Sequence, residues 1–293
     1  MLRSNSRRRA RPLLGTIIEI RVNGIAADAA DRAIDAGFVA IERVAALMSV
    51  HVADSELSRL NRTAHVRPVQ VDPWTYDVLV AAQRFAAATD GLFDCTVAPI
   101  LAAHGFLPSA AASAADASAR WRDVRLLPGG RVAFQRPLAL DLGGIAKGFA
   151  VDRAVDALRA SGVPAGAVNA GGDLRVFGGC AEPIHVRHPG DPTRLVALGW
   201  LDDGAIATSA AYYARLRAES AWIAPIVDPR RGRPIPADGL SVSVIAEDAA
   251  TADALTKPVT LLGGEAEALL MRFGARAIVI GEHGGYREFG LAA

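Results

Sequence analysis

Strand-like and helix-like periodicities follow one another irregularly along this chain, and that order narrows the fold more than any other feature. Thr16 to Val22 alternates as a strand, and Ile34, Phe38, Ile41, Ala45 and Met48 then recur at helical spacing across roughly Ala26 to Met48. Past the middle of the chain come short strands at Gly166 to Val168, Asp173 to Phe177, Ile184 to Arg187, Leu195 to Trp200 and Ala205 to Thr208. Further strands at Ser241 to Ala246 and Ala277 to Ile280 bracket two helices, one from about Thr251 and one from Glu265 to Phe273. A doubly wound sheet needs strand and helix in regular alternation, so this order predicts an α+β fold.

Local punctuation supports the same division. Asp54 or Ser55 can cap a short turn through Asn61, and Val66 to Val71 reads as extended. Pro73 opens a helix carrying Trp74, Val78, Ala81 and Phe85, which stops near Asp90-Gly91. Trp121 to Leu127 and Arg131 to Phe134 flank a Pro128-Gly129-Gly130 turn and predict a hairpin. Pro108 to Ala119, rich in Ala and Ser, predicts a surface excursion.

At 293 residues the chain can bury one large core or two interlocked lobes. Its formal charge of +1 provides no global field to hold nucleic acid or an anionic membrane. Arg3, Arg7, Arg8, Arg9 and Arg11 form the one basic run, which reads as a flexible, solvated N-terminus over residues 1–12 ahead of a single domain, 13–293. No apolar stretch of signal-peptide length follows it and no transmembrane span is evident, so a cytoplasmic location is expected, with periplasmic export left open. Cys95 and Cys180 are too few for a disulfide framework or a thiolate metal site.

Thirty arginines but only two lysines serve this chain, and both lysines fall in segments suited to chemistry. Asp141-Leu-Gly-Gly-Ile-Ala-Lys147-Gly runs from a strand through paired glycines into a helix, combining backbone amides, a positive dipole end and a compact ammonium, which together suit phosphate. It lacks the order of a Walker A loop, and a tight strand-to-helix turn is the plainer alternative. Asn169-Ala-Gly-Gly-Asp173 is a second glycine cluster that could approach a ligand or pin the first loop. Gly91-Leu-Phe-Asp-Cys-Thr-Val-Ala-Pro99 sets Asp94 and Thr96 after a helix stop, where they can bind or simply cap. Asp253, Thr256 and Lys257 share one helix face, a hard-cation site or a surface ion pair, with Pro258 expected to bend the helix beside them.

The ordered set of segments resembles the FAD:protein FMN transferase (ApbE) family. It comprises Leu14-Gly-Thr, Met48-Ser with Ser55-Glu-Leu-Ser-Arg-Leu-Asn61, Gly91-Leu-Phe-Asp-x-Thr-Val-x-Pro99, Asp141-Leu-Gly-Gly-Ile-Ala-Lys-Gly, Asn169-Ala-Gly-Gly-Asp173, Ala207-Thr-Ser209, Asp228-Pro-Arg and Ala252-Asp-Ala-Leu255. The resemblance implies an ApbE-like, T-fold-related architecture of mixed sheets and packed helices in two interlocked lobes. It implies transfer of FMN from FAD to a threonine hydroxyl of an acceptor protein bearing an Asp-Gly-x-Ser/Thr-Gly-Ala-Thr stretch, with release of AMP and assistance from Mg2+. Leu14, His51, Leu92, Phe93, Asp94, Asp141, Lys147 and Ile226 would then line the flavin nucleotide. Gly144, Asp253 and Thr256 would form the metal site, and Asp141, Lys147 and Asp228 the catalytic set.

Departures from the family pattern bear on chemistry. A threonine expected four residues after Asp253 is Lys257, and an ammonium repels a cation by about 4 kcal/mol per unit charge at about 4 Å and an effective dielectric near 20. Either Thr256 serves instead, or Lys257 displaces Mg2+. A histidine expected before the Ile226-Val-Asp-Pro turn is Pro225, which has no proton to exchange, leaving Asp141 and Asp228 as the carboxylates to test. His51 and His104 stand where the family has Tyr and Trp. An FAD pyrophosphatase and a non-catalytic FAD-binding maturation factor are the neighbouring readings, and a glycine-rich binding scaffold is the distant one.

Overall fold

The structure is a computed structural model of the chain that describes residues 6–112, 114–210, 214–218 and 221–290. Its elements run β1 (Arg7–Leu13), β2 (Thr16–Asn23), α1 (Ala27–Met48), α2 (Glu56–Thr63), β3 (Val69–Gln70), α3 (Pro73–Ala88), α4 (Ala98–Ala103), β4 (Val124–Leu127), β5 (Arg131–Phe134) and α5 (Ala146–Ala160). There follow β6 (Ala165–Ala170), β7 (Asp173–Phe177), β8 (Glu182–His188), β9 (Asp191–Leu201), β10 (Gly204–Ala210), β11 (Leu216–Ala218), β12 (Ala221–Asp228) and β13 (Arg233–Pro236). The chain continues through β14 (Ser241–Ala246), α6 (Ala249–Leu262), α7 (Glu267–Arg272), β15 (Arg276–Ile280) and β16 (Tyr286–Gly290). The fold is α+β, built on an eight-stranded antiparallel sheet ordered β1-β2-β6-β7-β10-β14-β15-β16.

Alternation along these strands supplies both faces of the sheet. Val168, Phe177, Ala205, Ala207, Val242 and Val244 turn into the main core, where α1, α5 and α6 lie side by side over the sheet. Ala167, Val176 and Ile206 turn the other way, against Ile184 of β8 and Leu201 of β9. Phe38 of α1 is fully buried in the main core, worth roughly 2–3 kcal/mol over an exposed ring. Ser55 caps α2 by accepting the Ser58 amide at 3.0 Å, and Asp72 caps α3 by accepting the Trp74 amide at 2.9 Å.

The expected flexible N-terminus is overturned over residues 7–12, which form most of β1. Leu14 (φ 52) and Gly15 (φ 71) make a two-residue turn that folds β1 back on β2, with Arg7 opposite Val22 and Leu13 opposite Thr16. Arg3 lies outside the described residues, but Arg7, Arg8, Arg9 and Arg11 meet acids on neighbouring elements. Arg9 and Arg11 reach Asp35 of α1 at 2.9 Å each, and Arg8 reaches Glu19 of β2 at 3.4 Å. Pro258 lies inside α6, which continues to Leu262.

Candidate active site

A cavity of about 370 Å³ opens where the loop before α5, the segment after α3, the end of β10, the β12 turn and α6 meet. Its lining combines apolar side chains, among them Leu92, Phe93, Leu101, Phe106 and Ile226, with the polar His51, Asp141, Lys147, Ser209 and Lys257. Of the residues expected from sequence, His51, Leu92, Phe93, Asp94, Asp141, Gly144, Lys147 and Ile226 come together here. Leu14, Asp228, Asp253 and Thr256 do not line it. Leu14 sits at the β1–β2 turn, and the carboxylate of Asp228 closes the following turn by accepting Arg230 N at 3.0 Å. Asp228 also lies 3.3 Å from Arg230 Nε and 3.5 Å from Arg231 Nε.

The glycine loop is pinned from both sides. Asn61 brackets residue 140, donating to its carbonyl at 3.0 Å and accepting its amide at 2.9 Å, and the Asp141 amide donates to the Cys95 carbonyl at 2.8 Å. Gly143 N donates to Asp141 Oδ1 at 3.0 Å, and Ala146 N to the Leu142 carbonyl at 2.8 Å. Gly148 N donates to Asp253 Oδ2 at 3.1 Å. Much of the amide set expected to await a phosphate is therefore satisfied internally, and the ammonium groups of Lys147 and Lys257 are the strongest donors left on the wall.

Close backbone approach explains two glycines. A Cβ on Gly148 would stand 2.1 Å from the Ala249 carbonyl oxygen, so only glycine lets α5 and α6 meet and bring Asp253 to the start of α5. Gly171, at φ 61, would clash with Thr16 Oγ1 at 2.2 Å, which seats the β6–β7 turn on β2. That turn delivers Asp173, whose carboxylate holds Lys147.

Each cavity lysine is thus held from behind by a buried carboxylate that does not itself line the cavity: Lys147 by Asp173, and Lys257 by Asp253. Burial alone would lower the Lys147 pKa, but the charges of Asp253 and Asp173 outweigh it and hold the ammonium above its ordinary value. Burial, then the neighbouring charge of Asp253, push Asp173 up to about 6. Asp253 is held down: burial opposes, yet Lys257 and Lys147 favour its ionised form. Asp141, on the wall, is raised by burial against the pull of the Gly143 amide and of His51 and Lys257. Asp94 is also raised by burial, but its oxygens are spent on Thr96 N and Oγ1, at 2.8 and 2.7 Å, and on Trp121 N at 3.2 Å, which makes it the cap of its loop.

The atoms expected to hold Mg2+ do not fit that ion as the chain stands. Both Asp253 oxygens are taken, by Lys257 Nζ and Gly148 N. Thr256 is fully buried; its hydroxyl donates to the Asp253 carbonyl at 2.7 Å and pairs with Ser209 Oγ at 2.8 Å. Among the described residues no cluster of three His, Cys, Asp or Glu side chains could hold a metal.

Sequence reasoning did not assign Asp173 or Ser209 to the site, although both lie in motifs it singled out. Asp173 closes the second glycine cluster, and that spacing carried the signal.

The profile of the ApbE family matches residues 14–279. A Vibrio cholerae protein named FAD:protein FMN transferase is 31% identical over 239 residues, covering 77% of this chain and 72% of its own. A Treponema pallidum protein of the same name is 29% identical, covering 90% of this chain and 81% of its own. The crystal structure of the ApbE protein from Thermotoga maritima superposes with a TM-score of 0.83 at 28% identity, over 97% of both chains. The flavin transferase ApbE from Vibrio cholerae gives 0.79 at 26% identity, over 98% of this chain and 97% of that one. With a profile match over most of its length, and its segments 91–99 and 141–148 meeting at one cavity, the chain belongs to the ApbE family.

Proposed function

We propose that this chain is a transferase that moves FMN from FAD onto a threonine hydroxyl of an acceptor protein and releases AMP. The observation that carries the reading is the pair of lysines, Lys147 and Lys257, lining one cavity together with Leu92, Phe93 and Ile226. A flavin ring suits Leu92, Phe93 and Ile226, and a pyrophosphate suits the lysines. The names of the relatives support the same reading.

In the reaction the threonine Oγ attacks the FMN-side phosphorus and the bond from that phosphorus to the bridging oxygen breaks. The bridging oxygen leaves with AMP, and the hydroxyl proton passes to a base. Lys147 neutralises charge that builds on the phosphoryl oxygens, the largest contribution a protein makes to such a step. Asp141 is the better base: it lines the cavity with a raised pKa, whereas Asp228 is committed to Arg230 and Arg231. Pro225, which also lines the cavity, contributes shape and no proton. No step here runs through Mg2+.

Incubation of the protein with FAD and a peptide carrying Asp-Gly-x-Ser/Thr-Gly-Ala-Thr tests this. A peptide gaining the mass of FMN less water, with one AMP per adduct, is expected. Free FMN plus AMP would make the protein a pyrophosphatase, and bound but unconverted FAD a maturation factor.

A further inference from the structure

Lys257 occupies the place on Asp253 that a cation would take. Its Nζ pairs with Asp253 Oδ1 and donates to the Asp253 carbonyl at 2.9 Å. The two residues are one helical turn apart on α6, so the helix itself sets the pair. Asp253 cannot turn to other partners, because its second oxygen is fixed by Gly148 N at 3.1 Å and α5 is locked against α6 by the Gly148–Ala249 contact. The lysine stem runs along the glycine loop, its Cε 3.4 Å from where a Gly144 Cβ would be, and the side chain keeps 20% exposure at the cavity. Lys257 spends two of its three N–H groups on Asp253 and keeps one for a ligand, while Lys147 spends one on Asp173.

We propose that the Lys257 ammonium replaces the divalent cation in this chain, so that with Lys147 it forms a metal-independent clamp on the FAD pyrophosphate. The proposal rests on the flavin-transferase reading above. Two lysines balanced by Asp253 and Asp173 leave one positive charge fewer than Lys147 with a divalent ion would, so the clamp gives up charge for independence from metal supply. An ion added to the wild-type protein meets an ammonium where it would need a ligand.

The test uses the full chain in EDTA or in millimolar Mg2+ or Mn2+, with FAD affinity read by flavin fluorescence, Mn2+ binding by electron paramagnetic resonance, and FMN transfer by peptide mass. Wild-type FAD affinity and transfer rate are expected to agree within about twofold with and without metal, and no Mn2+ should bind. Lys257→Thr is expected to lose at least about tenfold in FAD affinity in EDTA, the loss of one charge-assisted hydrogen bond, and to recover it with Mg2+ while binding one Mn2+. Lys257→Gln, a milder change in shape, should lose affinity without metal rescue. Stoichiometric Mn2+ binding by the wild type, or its loss of FAD affinity in EDTA, would overturn the proposal. Absence of transfer under every condition sinks the transferase reading alone, since the affinity and Mn2+ measurements still decide the role of Lys257.

Discussion

Gly148→Ala sets two effects of opposite sign against each other. Helix propensity alone favours alanine in the first turn of α5 by up to about 1 kcal/mol. Packing opposes it: the new Cβ would lie 2.1 Å from Ala249 O, 2.5 Å from Ala249 C and 2.9 Å from Ala250 Cα, all backbone atoms that cannot rotate away. Relief requires α5 and α6 to part by about 1 Å, an overpacking cost of roughly 1–3 kcal/mol. The same movement stretches the bonds by which Asp152 of α5 accepts Ala249 N at 2.9 Å and Ala250 N at 2.8 Å, and hydrogen bonds to a charged group are worth about 1.5–3 kcal/mol. The net expectation is a loss of about 3 kcal/mol, or a fall in Tm of roughly 6–12 °C for a chain of this size. Urea denaturation beside a thermal melt measures it. Gly37→Ala in α1 is the control, since its Cβ would meet Ile20 Cδ1 at 2.9 Å, the movable end of a side chain, and stability should stay within about 1 kcal/mol of wild type. A Gly148→Ala protein as stable as wild type would refute the claim that backbone contact, not propensity, fixes this glycine.

Lys147→Gln should slow single-turnover FMN transfer by about 100- to 1,000-fold, and Lys147→Arg should fail to restore it because a planar fork does not replace a compact ammonium; a loss under threefold would remove Lys147 from the chemistry. Asp141→Asn is expected to cut the transfer rate by about 100- to 10,000-fold while FAD affinity, read by fluorescence, changes little, and a rate close to wild type would assign the base elsewhere. Asp72→Ala removes the α3 cap and should cost about 1–2 kcal/mol in urea denaturation at neutral pH. Burial would raise Asp72, but Arg43 and the Trp74 amide hold it below its ordinary 3.8, so its contribution is present above pH 3.8 and fades as pH falls through the lower folded value. The stability gap between wild type and Asp72→Ala should therefore close in acid, and a gap that widens there would contradict the sign.

Elements carried by local pattern were legible in the sequence. α1 and α3 follow apolar stripes with clear stops, β7 and β14 coincide with their alternating runs, and of the two cap candidates Asp54 and Ser55 it is Ser55 that caps, where α2 forms in place of a short turn. β1 was missed because its arginines offer no apolar face; its strand character comes from the Leu14–Gly15 turn and from the acids of α1. β12 was missed because Pro225 interrupts its alternation, and its pairing with β13 shifts register across that stretch.

The sequence by itself determined the fold class, the family, and a glycine loop leading from a strand-like run into the helix that carries Lys147, because each is written in short segments whose order is the signal. It also placed a lysine four residues after Asp253, which on a helix forces those side chains together. Only the tertiary structure decided which carboxylate holds which ammonium. Lys147 meets Asp173 because Gly171 seats the β6–β7 turn against Thr16, and Asp253 reaches α5 because Gly148 carries no Cβ. Those contacts join segments far apart in the chain, and no local periodicity encodes a distance in space.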